Sequence, residues 1–189
     1  MQAFQSHACT VIFYRVYADT GGVEFLSFTY TETKNNHPVI TWRFPTESQD
    51  EYNNRETPLE TLTACVTQEI ALDEKLFPFQ LTPQEPVYSD FVQSQKDRTG
   101  KHAKLVFLAQ TEHTAFRTTP KDDRKLVGDK IEVETLGPPE WHEAEELHLM
   151  MEQRGTSFHR SALLKALETL AVEKKVFEKY INLLKKPAR

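Results

Sequence analysis

One segment of this chain places an acidic helix directly behind an apolar strand. The strand is predicted over Pro38 to Phe44, the polar stretch Thr46 to Arg55 is predicted to be a surface loop, and the helix is predicted over Pro58 to about Glu74. A loop between a strand and an acidic helix is a suitable place to present oxygen ligands to a hard cation and to a phosphate. The segment therefore favours the α/β class and directs attention to its carboxylates.

The start of this helix carries a capping box. Thr57 suits the N-cap, Pro58 suits the first helical position, and the Glu60 side chain can reach back to the backbone N–H of the cap. This local chemistry predicts where the helix begins and is enough to explain Glu60 as a structural residue.

The remaining pattern predicts a mixed sheet between helices. β-Branched and aromatic runs predict the other strands. These are His7 to Tyr17, Val23 to Tyr30, Phe77 to Leu81, Val87 to Ser94, Ala103 to Gln110 and Ile131 to Leu136. The polar stretch Thr111 to Lys130 is predicted to be unstructured, and helices are predicted over Glu143 to Met151 and Ser157 to Leu184. Residues 1–189 are expected to form one α/β domain with a long C-terminal helix.

Composition limits the range of functions. A chain of 189 residues with 39% apolar content can bury one sizeable core. A net charge of −5 argues against binding to a nucleic-acid polymer but not against a small anionic ligand bound through a metal. No signal peptide or membrane-spanning run is evident, so a cytoplasmic protein without membrane contact is expected. Cys9 and Cys65 are expected to be buried, reduced thiols.

The element order and the residues around Glu69 resemble the Nudix hydrolases. The signature of that family is a glycine, five residues, a glutamate, seven residues and then Arg-Glu-apolar-x-Glu-Glu-x-Gly-apolar. With Glu69 placed directly after the arginine position, Glu60 takes the first glutamate and Asp73 takes the last. Ile70 and Leu76 occupy the two apolar places. The resemblance implies a Nudix-like α/β/α sandwich.

The chain departs from the signature at four positions. Asn54 replaces the first glycine, Gln68 the arginine, Leu72 a glutamate and Lys75 the second glycine. The first glutamate is also ambiguous, because Glu56-Thr57-Pro58 is similar to the family's helix start. Glu60 fits the spacing of the signature, whereas Glu56 fits the local helix chemistry.

The resemblance implies attack of water on a diphosphate linked to another moiety, with Mg²⁺ or Mn²⁺ held by helix carboxylates. Glu69 and Asp73 are four residues apart and are expected to leave the helix on one face as the metal ligands. Glu56 or Glu60 would complete the catalytic set. The alternative is a solvated acidic face with Leu72 packed into the core.

Three residues are candidates for substrate binding. Trp42 could stack on a base, and Arg43 and Arg55 could bind phosphate. Strand alternation places Trp42 and Arg43 on opposite faces, so at most one of them points into a given pocket. The polar stretch Thr111 to Lys130, with Arg117, Lys121, Arg124 and Lys125, either closes over an anionic ligand or stays solvated. Glu112 and His113 are weaker candidates at the end of a strand.

Two functions remain open from the sequence. One is a divergent Nudix-type hydrolase that cleaves a nucleoside diphosphate linked to another moiety. The other is a Nudix-fold protein that has lost catalysis and binds a nucleotide-like ligand or a protein partner. A homodimer is compatible with both.

Overall fold

A computed structural model of the chain describes residues 6–17, 22–34, 37–49, 57–72, 79–93, 101–111, 116–127, 130–172 and 180. Within these residues the chain forms ten strands and three α-helices. The strands are β1 (Ser6–Val16), β2 (Val23–Lys34), β3 (His37–Arg43), β4 (Thr46–Ser48), β5 (Gln80–Leu81), β6 (Tyr88–Gln93), β7 (Lys101–Gln110), β8 (Lys121–Val127), β9 (Lys130–Leu136) and β10 (Glu140–Glu143). The helices are α1 (Pro58–Ile70), α2 (Ala144–Arg154) and α3 (Ser157–Val172).

The strands form one mixed sheet. Its central pair, β1 and β7, is parallel, with Ser6 opposite His102 and Tyr14 opposite Gln110. The other pairings of strands in the described part of the chain are antiparallel. The main path runs β5-β7-β1-β2-β9-β8, with β6 on β7, β4 on β1, and β3 and β10 on β2.

Strand β1 is buried on both of its faces. His7 to Tyr14 are all buried, which is typical of a strand that has a helix layer on each side. Val11 and Phe13 belong to the core cluster that includes residues of α1. Ile12 and Tyr14 belong to the core cluster that includes residues of α2 and α3. The predicted α/β/α sandwich with a mixed sheet is therefore confirmed.

Strand β2 changes partners along its length. Its first half pairs with β1 and β10, and its second half pairs with β3 and β9. In the second half, Phe28 and Tyr30 pack with Leu136 of β9 in a small third cluster. These three residues form part of the wall of the cavity described below.

Two polar stretches that were predicted to lack secondary structure contain strands. Within Thr46 to Arg55, strand β4 pairs with β1, and the hydroxyls of Thr10 and Thr46 share a 2.8 Å hydrogen bond. Within Thr111 to Lys130, strand β8 pairs with β9 at the end of the sheet path. Charged residues are common on an edge strand because they oppose further pairing, and this polarity concealed β8 in the sequence.

Several predicted boundaries also differ. Helix α1 ends at Ile70 rather than near Glu74, and α2 continues three residues beyond Met151. Strand β5 begins at Gln80, and most of the predicted extension of α3 to Leu184 lies outside the described residues. None of the helices in the described ranges is long and apolar enough to cross a membrane.

Candidate functional site

A cavity of about 660 Å³ is lined by residues of β1, β2, β3, β4, β7 and β9, by Glu69 near the end of α1, and by the start of α3. Its volume lies in the range of small-molecule sites. The acidic and basic side chains that line it include Arg43, Glu47, Glu69, Lys104 and Glu134. The cavity therefore contains both a carboxylate region and a cationic region.

The end of α1 fixes the position of Glu69. Ala71 adopts a left-handed conformation with φ 57° and ψ 34°, and this ends the helix at Ile70. The backbone N–H groups of Ala71 and Leu72 both donate to the carbonyl of Val66, as in helix C-caps that use a left-handed residue. The turn sends Leu72 into the core, where it is 1% exposed.

The left-handed turn at Ala71 ends the helical periodicity of α1 after Ile70. Asp73, the second predicted metal ligand, lies outside the described residues. The predicted pairing of Glu69 with Asp73 at one metal ion therefore stays a prediction.

Two cations from a distant part of the chain bind the end of α1. The ammonium of Lys121 donates to the carbonyl of Gln68 at 3.1 Å, and the Nε of Arg117 donates to the carbonyl of Glu69 at 2.8 Å. The last turn of α1 has no basic residue of its own. The two side chains therefore supply the positive charge that favours a helix C-terminus.

Arg117 also joins α1 to the sheet. Its Nη1 donates to the carbonyls of Thr119 and Leu136, and its Nη2 donates to the carbonyl of Gly137. Burial lowers the pKa of Arg117, and the nearby Glu69 opposes that shift. The sequence suggested that Arg117 either closes over a ligand or is solvated, whereas the structure shows it bound to four backbone carbonyls.

The Glu69 carboxylate forms an ion pair at the cavity wall. The residue is 9% exposed, and its Oε1 lies 3.5 Å from the Nζ of Lys121. Burial is the main factor that raises the pKa of Glu69, and the negative charge of Glu47 raises it further. The charges of Lys121 and Arg117 oppose this rise.

The cationic region surrounds His159. Arg43 and Lys104 line the cavity together with His159, which is 5% exposed. The backbone N–H of Phe44 donates to Nδ1 of His159 at 3.4 Å. Burial, followed by the charges of Arg43 and Lys104, lowers the pKa of His159 to about 3. His159 is therefore neutral at pH 7 and lies near two cations.

Arg43 is held in a defined orientation. Its guanidinium lies 3.5 Å from the ring centroid of Tyr30 and 3.5 Å from a carboxylate oxygen of Glu32. Its Nε donates to the hydroxyl of Thr41 at 3.0 Å. Arg43 thus faces the cavity with little freedom to reorient, which lowers the entropy cost of binding an anion.

Two other predicted site residues are engaged elsewhere. Glu60 accepts from the N–H of Thr57 at 2.6 Å, and the hydroxyl of Thr57 accepts from the N–H of Glu60 at 3.3 Å. The predicted capping box is confirmed, and these two hydrogen bonds lower the pKa of Glu60. Trp42 packs against the core beside α2 and α3, with its ring 5.0 Å from that of His142. Neither Glu60 nor Trp42 is among the residues that line the cavity.

Eight residues that the comparison with the signature and the site hypotheses named lie outside the described residues. They are Asn54, Arg55, Glu56, Asp73, Lys75, Leu76, Glu112 and His113.

The acidic side chains in the described ranges do not fit a magnesium site of the kind that the resemblance implies. Among those residues, no three His, Cys, Asp or Glu side chains are grouped so that they could hold a metal ion. Glu69 already pairs with Lys121, and the third signature carboxylate is replaced by the buried Leu72. Magnesium prefers oxygen ligands in an octahedral arrangement, whereas the Glu69 carboxylate is paired with the ammonium of Lys121.

The site also includes three residues that the sequence did not indicate as site candidates, namely Glu47, Lys104 and His159. Lys104 had a usable signal, because it is the one charged residue in the otherwise apolar run Ala103 to Ala109. Lys121 was expected only as one of several cations in a polar stretch. Its contact with the end of α1 had no sequence signal, since its position depends on the unrecognised strand β8.

Comparison with known proteins gives a result only at the level of structure. The sequence matches no family model, and no curated protein matches it. The structure is similar to an Ap4A hydrolase binary complex from C. elegans, with a TM-score of 0.56, 14% identity and coverage of 88% of this chain and 98% of that chain. A MutT/nudix family protein from Listeria innocua gives a TM-score of 0.55, 14% identity and coverage of 92% and 98%.

A third similar structure is the NUDIX domain of Shewanella oneidensis NrtR complexed with ADP ribose. Its TM-score is 0.51 at 16% identity, with coverage of 90% of both chains. Identities this low establish the fold, and function has to be argued from the site. The resemblance predicted from the sequence is confirmed at that level: this chain is a divergent protein of the Nudix fold.

Proposed function

We propose that this chain binds a nucleotide-like ligand that contains a diphosphate, and that the cavity is its binding site. The observation that carries this assignment is the pair of cations Arg43 and Lys104, which come from different strands and line the same cavity beside the buried His159. Two cations on the wall of a cavity of about 660 Å³ can attract the phosphates of an anion of nucleotide size.

The two cations offer different contacts to phosphate. The guanidinium of Arg43 can bind two phosphate oxygens at once, whereas Lys104 acts as a point charge. Thr156 and Ser157, at the start of the 16-residue helix α3, line the same cavity. The N-terminus of a helix favours negative charge, so the start of α3, like Arg43 and Lys104, favours binding of a phosphate.

Solved structures of the same fold suggest the chemical class of the ligand. One was determined with ADP ribose, and another is an Ap4A hydrolase. ADP-ribose is therefore a suitable first probe, because it joins a nucleoside diphosphate to a second moiety.

Calorimetric titration of ADP-ribose into the full chain tests the proposal. Lys104→Met and Arg43→Lys should each weaken binding by about tenfold or more, since one removes a charge and the other removes the bidentate contact. Lys165→Met is the control, because Lys165 pairs with Glu168 on the exposed part of α3. Equal losses in the control, or no saturable binding by the wild-type chain with ADP-ribose, ADP or Ap4A, would contradict the proposal.

Hydrolysis of the bound ligand is a second candidate function, favoured by Glu69. This carboxylate lines the cavity, and burial raises its pKa toward the range of a general base. Product formation from a panel of nucleoside diphosphate derivatives, with and without Mg²⁺, tests it. Glu69→Gln should abolish turnover but preserve ligand binding. Equal turnover in both proteins would exclude Glu69 as the base.

A further inference from the structure

The side chain of Lys121 occupies the region where the resemblance would place a metal ion. Its Nζ lies 3.5 Å from Oε1 of Glu69 and 3.1 Å from the carbonyl of Gln68. Gln68 stands where the signature has an arginine. Lys121 therefore brings a positive charge from the sheet to the position at which the helix of the signature carries one.

The position of Lys121 is fixed by the fold. Lys121 is the first residue of β8, and it lies opposite Leu136 in the antiparallel pair of β8 and β9. The carbonyl of Leu136 also accepts from Arg117, which in turn holds the carbonyl of Glu69. The hairpin of β8 and β9 and the end of α1 are therefore linked by two adjacent cations.

Burial strengthens the attraction between Glu69 and Lys121, and the ammonium of Lys121 opposes the binding of a divalent ion at Glu69. The side chains of Glu69 and Lys121 are 12% and 35% exposed, so water screens their attraction only in part. A divalent ion at Glu69 would lie beside a fixed ammonium and would be repelled by it. It would also lack the ligand that the signature supplies at the position of Leu72, which is packed in the core.

We infer that Lys121 is a built-in counter-ion that replaces the divalent metal at Glu69, so that the diphosphate ligand is bound without metal. The ammonium has three N–H donors. Two are directed toward Glu69 and Gln68, so the positive charge that a metal ion would bring to Glu69 is supplied by the chain itself. The part of this inference that concerns the ligand rests on the proposed function, whereas the exclusion of metal does not.

Titration of the ligand-free chain with Mn²⁺, followed by electron paramagnetic resonance, tests the exclusion of metal. The wild-type chain should show no binding that depends on Glu69 at concentrations below about 1 mM. Lys121→Met should lower the dissociation constant by about tenfold or more, because it removes a positive charge next to the carboxylate. The double variant Lys121→Met/Glu69→Gln should lose this gain.

Two controls make the result specific. Lys121→Arg keeps the positive charge and should still exclude Mn²⁺, and Lys165→Met removes a charge far from Glu69 and should behave as the wild-type chain does. The inference is overturned if the wild-type chain binds Mn²⁺ and Glu69→Gln abolishes that binding, a comparison that does not require a Lys121 variant to fold. It is also overturned if a folded Lys121→Met variant gains no affinity.

The consequence for the ligand is measured separately. ADP-ribose should bind equally well in EDTA and in excess Mg²⁺, and a tenfold gain in affinity with Mg²⁺ would contradict the role given to Lys121. If ADP-ribose does not bind at all, the proposed function fails, and the Mn²⁺ titration still decides whether Lys121 excludes metal.

Discussion

The two ends of helix α1 are stabilised by different parts of the chain. At the N-terminus, Thr57 and Glu60 exchange hydrogen bonds within a single turn. At the C-terminus, Lys121 and Arg117 reach carbonyls about fifty positions earlier in the sequence. The N-terminus is therefore a product of local chemistry and could form in a peptide, whereas the C-terminus exists only when the sheet is assembled. The candidate site lies at the C-terminal end.

The largest effect is expected at Leu72, where the chain enters the core after the left-handed turn. Leu72→Glu places a carboxylate in an apolar cluster, and the expected loss in the free energy of unfolding is about 3 kcal/mol or more. The change should not create a metal site, because the side chain faces the core. Urea denaturation and Mn²⁺ titration measure both outcomes.

Leu149→Glu is the matched control, because Leu149 is 56% exposed on α2. It should change stability by less than about 0.5 kcal/mol. A stable Leu72→Glu protein with a gain of turnover on nucleoside diphosphates would instead support a weakened hydrolase.

A smaller loss in the free energy of unfolding is expected at Arg117, which stabilises the C-terminal end of α1 through tertiary hydrogen bonds. Arg117→Met removes four hydrogen bonds from a charged donor to the carbonyls of Glu69 in α1, Leu136 in β9, Thr119 and Gly137, and should cost about 2–4 kcal/mol. Hydrogen exchange should also show opening of the last turn of α1, because the carbonyl of Glu69 loses the donor that Arg117 provides. Arg154→Met, at the exposed end of α2, should cost less than about 1 kcal/mol. Equal losses in the two variants would mean that Arg117 does not link α1 to the sheet.

Removal of the local cap should cost less. Thr57→Ala removes the hydroxyl that accepts from the N–H of Glu60, and the expected loss is about 1 kcal/mol. Thr63→Ala, on the exposed middle of the same helix, should be neutral or slightly stabilising, since alanine has the higher helix propensity. A loss at Thr57 as large as that at Arg117 would remove the proposed distinction between the two ends.

This distinction also explains what the sequence could predict. The capping box was predictable because its residues are close in sequence, and the central strand β1 was predictable because it is rich in β-branched and aromatic residues. The end of α1 was not predictable, because a left-handed alanine has no strong sequence signal and the stabilising cations, Arg117 and Lys121, lie before and at the start of a charged edge strand. The signature spacing identified Glu69, but the partner of Glu69 depends on how β8 pairs with β9.

The smallest effects concern pH, and the two glutamates of α1 should respond with opposite signs. The pKa of Glu60 is lowered from 4.5 by its hydrogen bonds to Thr57. Its ionised form therefore contributes stability above pH 4.5, and this contribution is lost as the pH falls through the folded-state pKa. The pKa of Glu69 is raised from 4.5, chiefly by burial. Its contribution is complete below pH 4.5 and is lost as the pH rises through the folded-state pKa.

Stability measured from pH 3 to pH 8 in Glu60→Gln and Glu69→Gln tests this difference. Relative to the wild-type chain, Glu69→Gln should become more stable as the pH rises, because the neutral amide avoids the burial of a charge. Glu60→Gln should become less stable over the same rise, because the amide forms weaker bonds to the cap than the carboxylate does. If both variants shift in the same direction, the pairing of Glu69 with Lys121 outweighs the cost of burial, and the two ends of α1 do not differ in this respect.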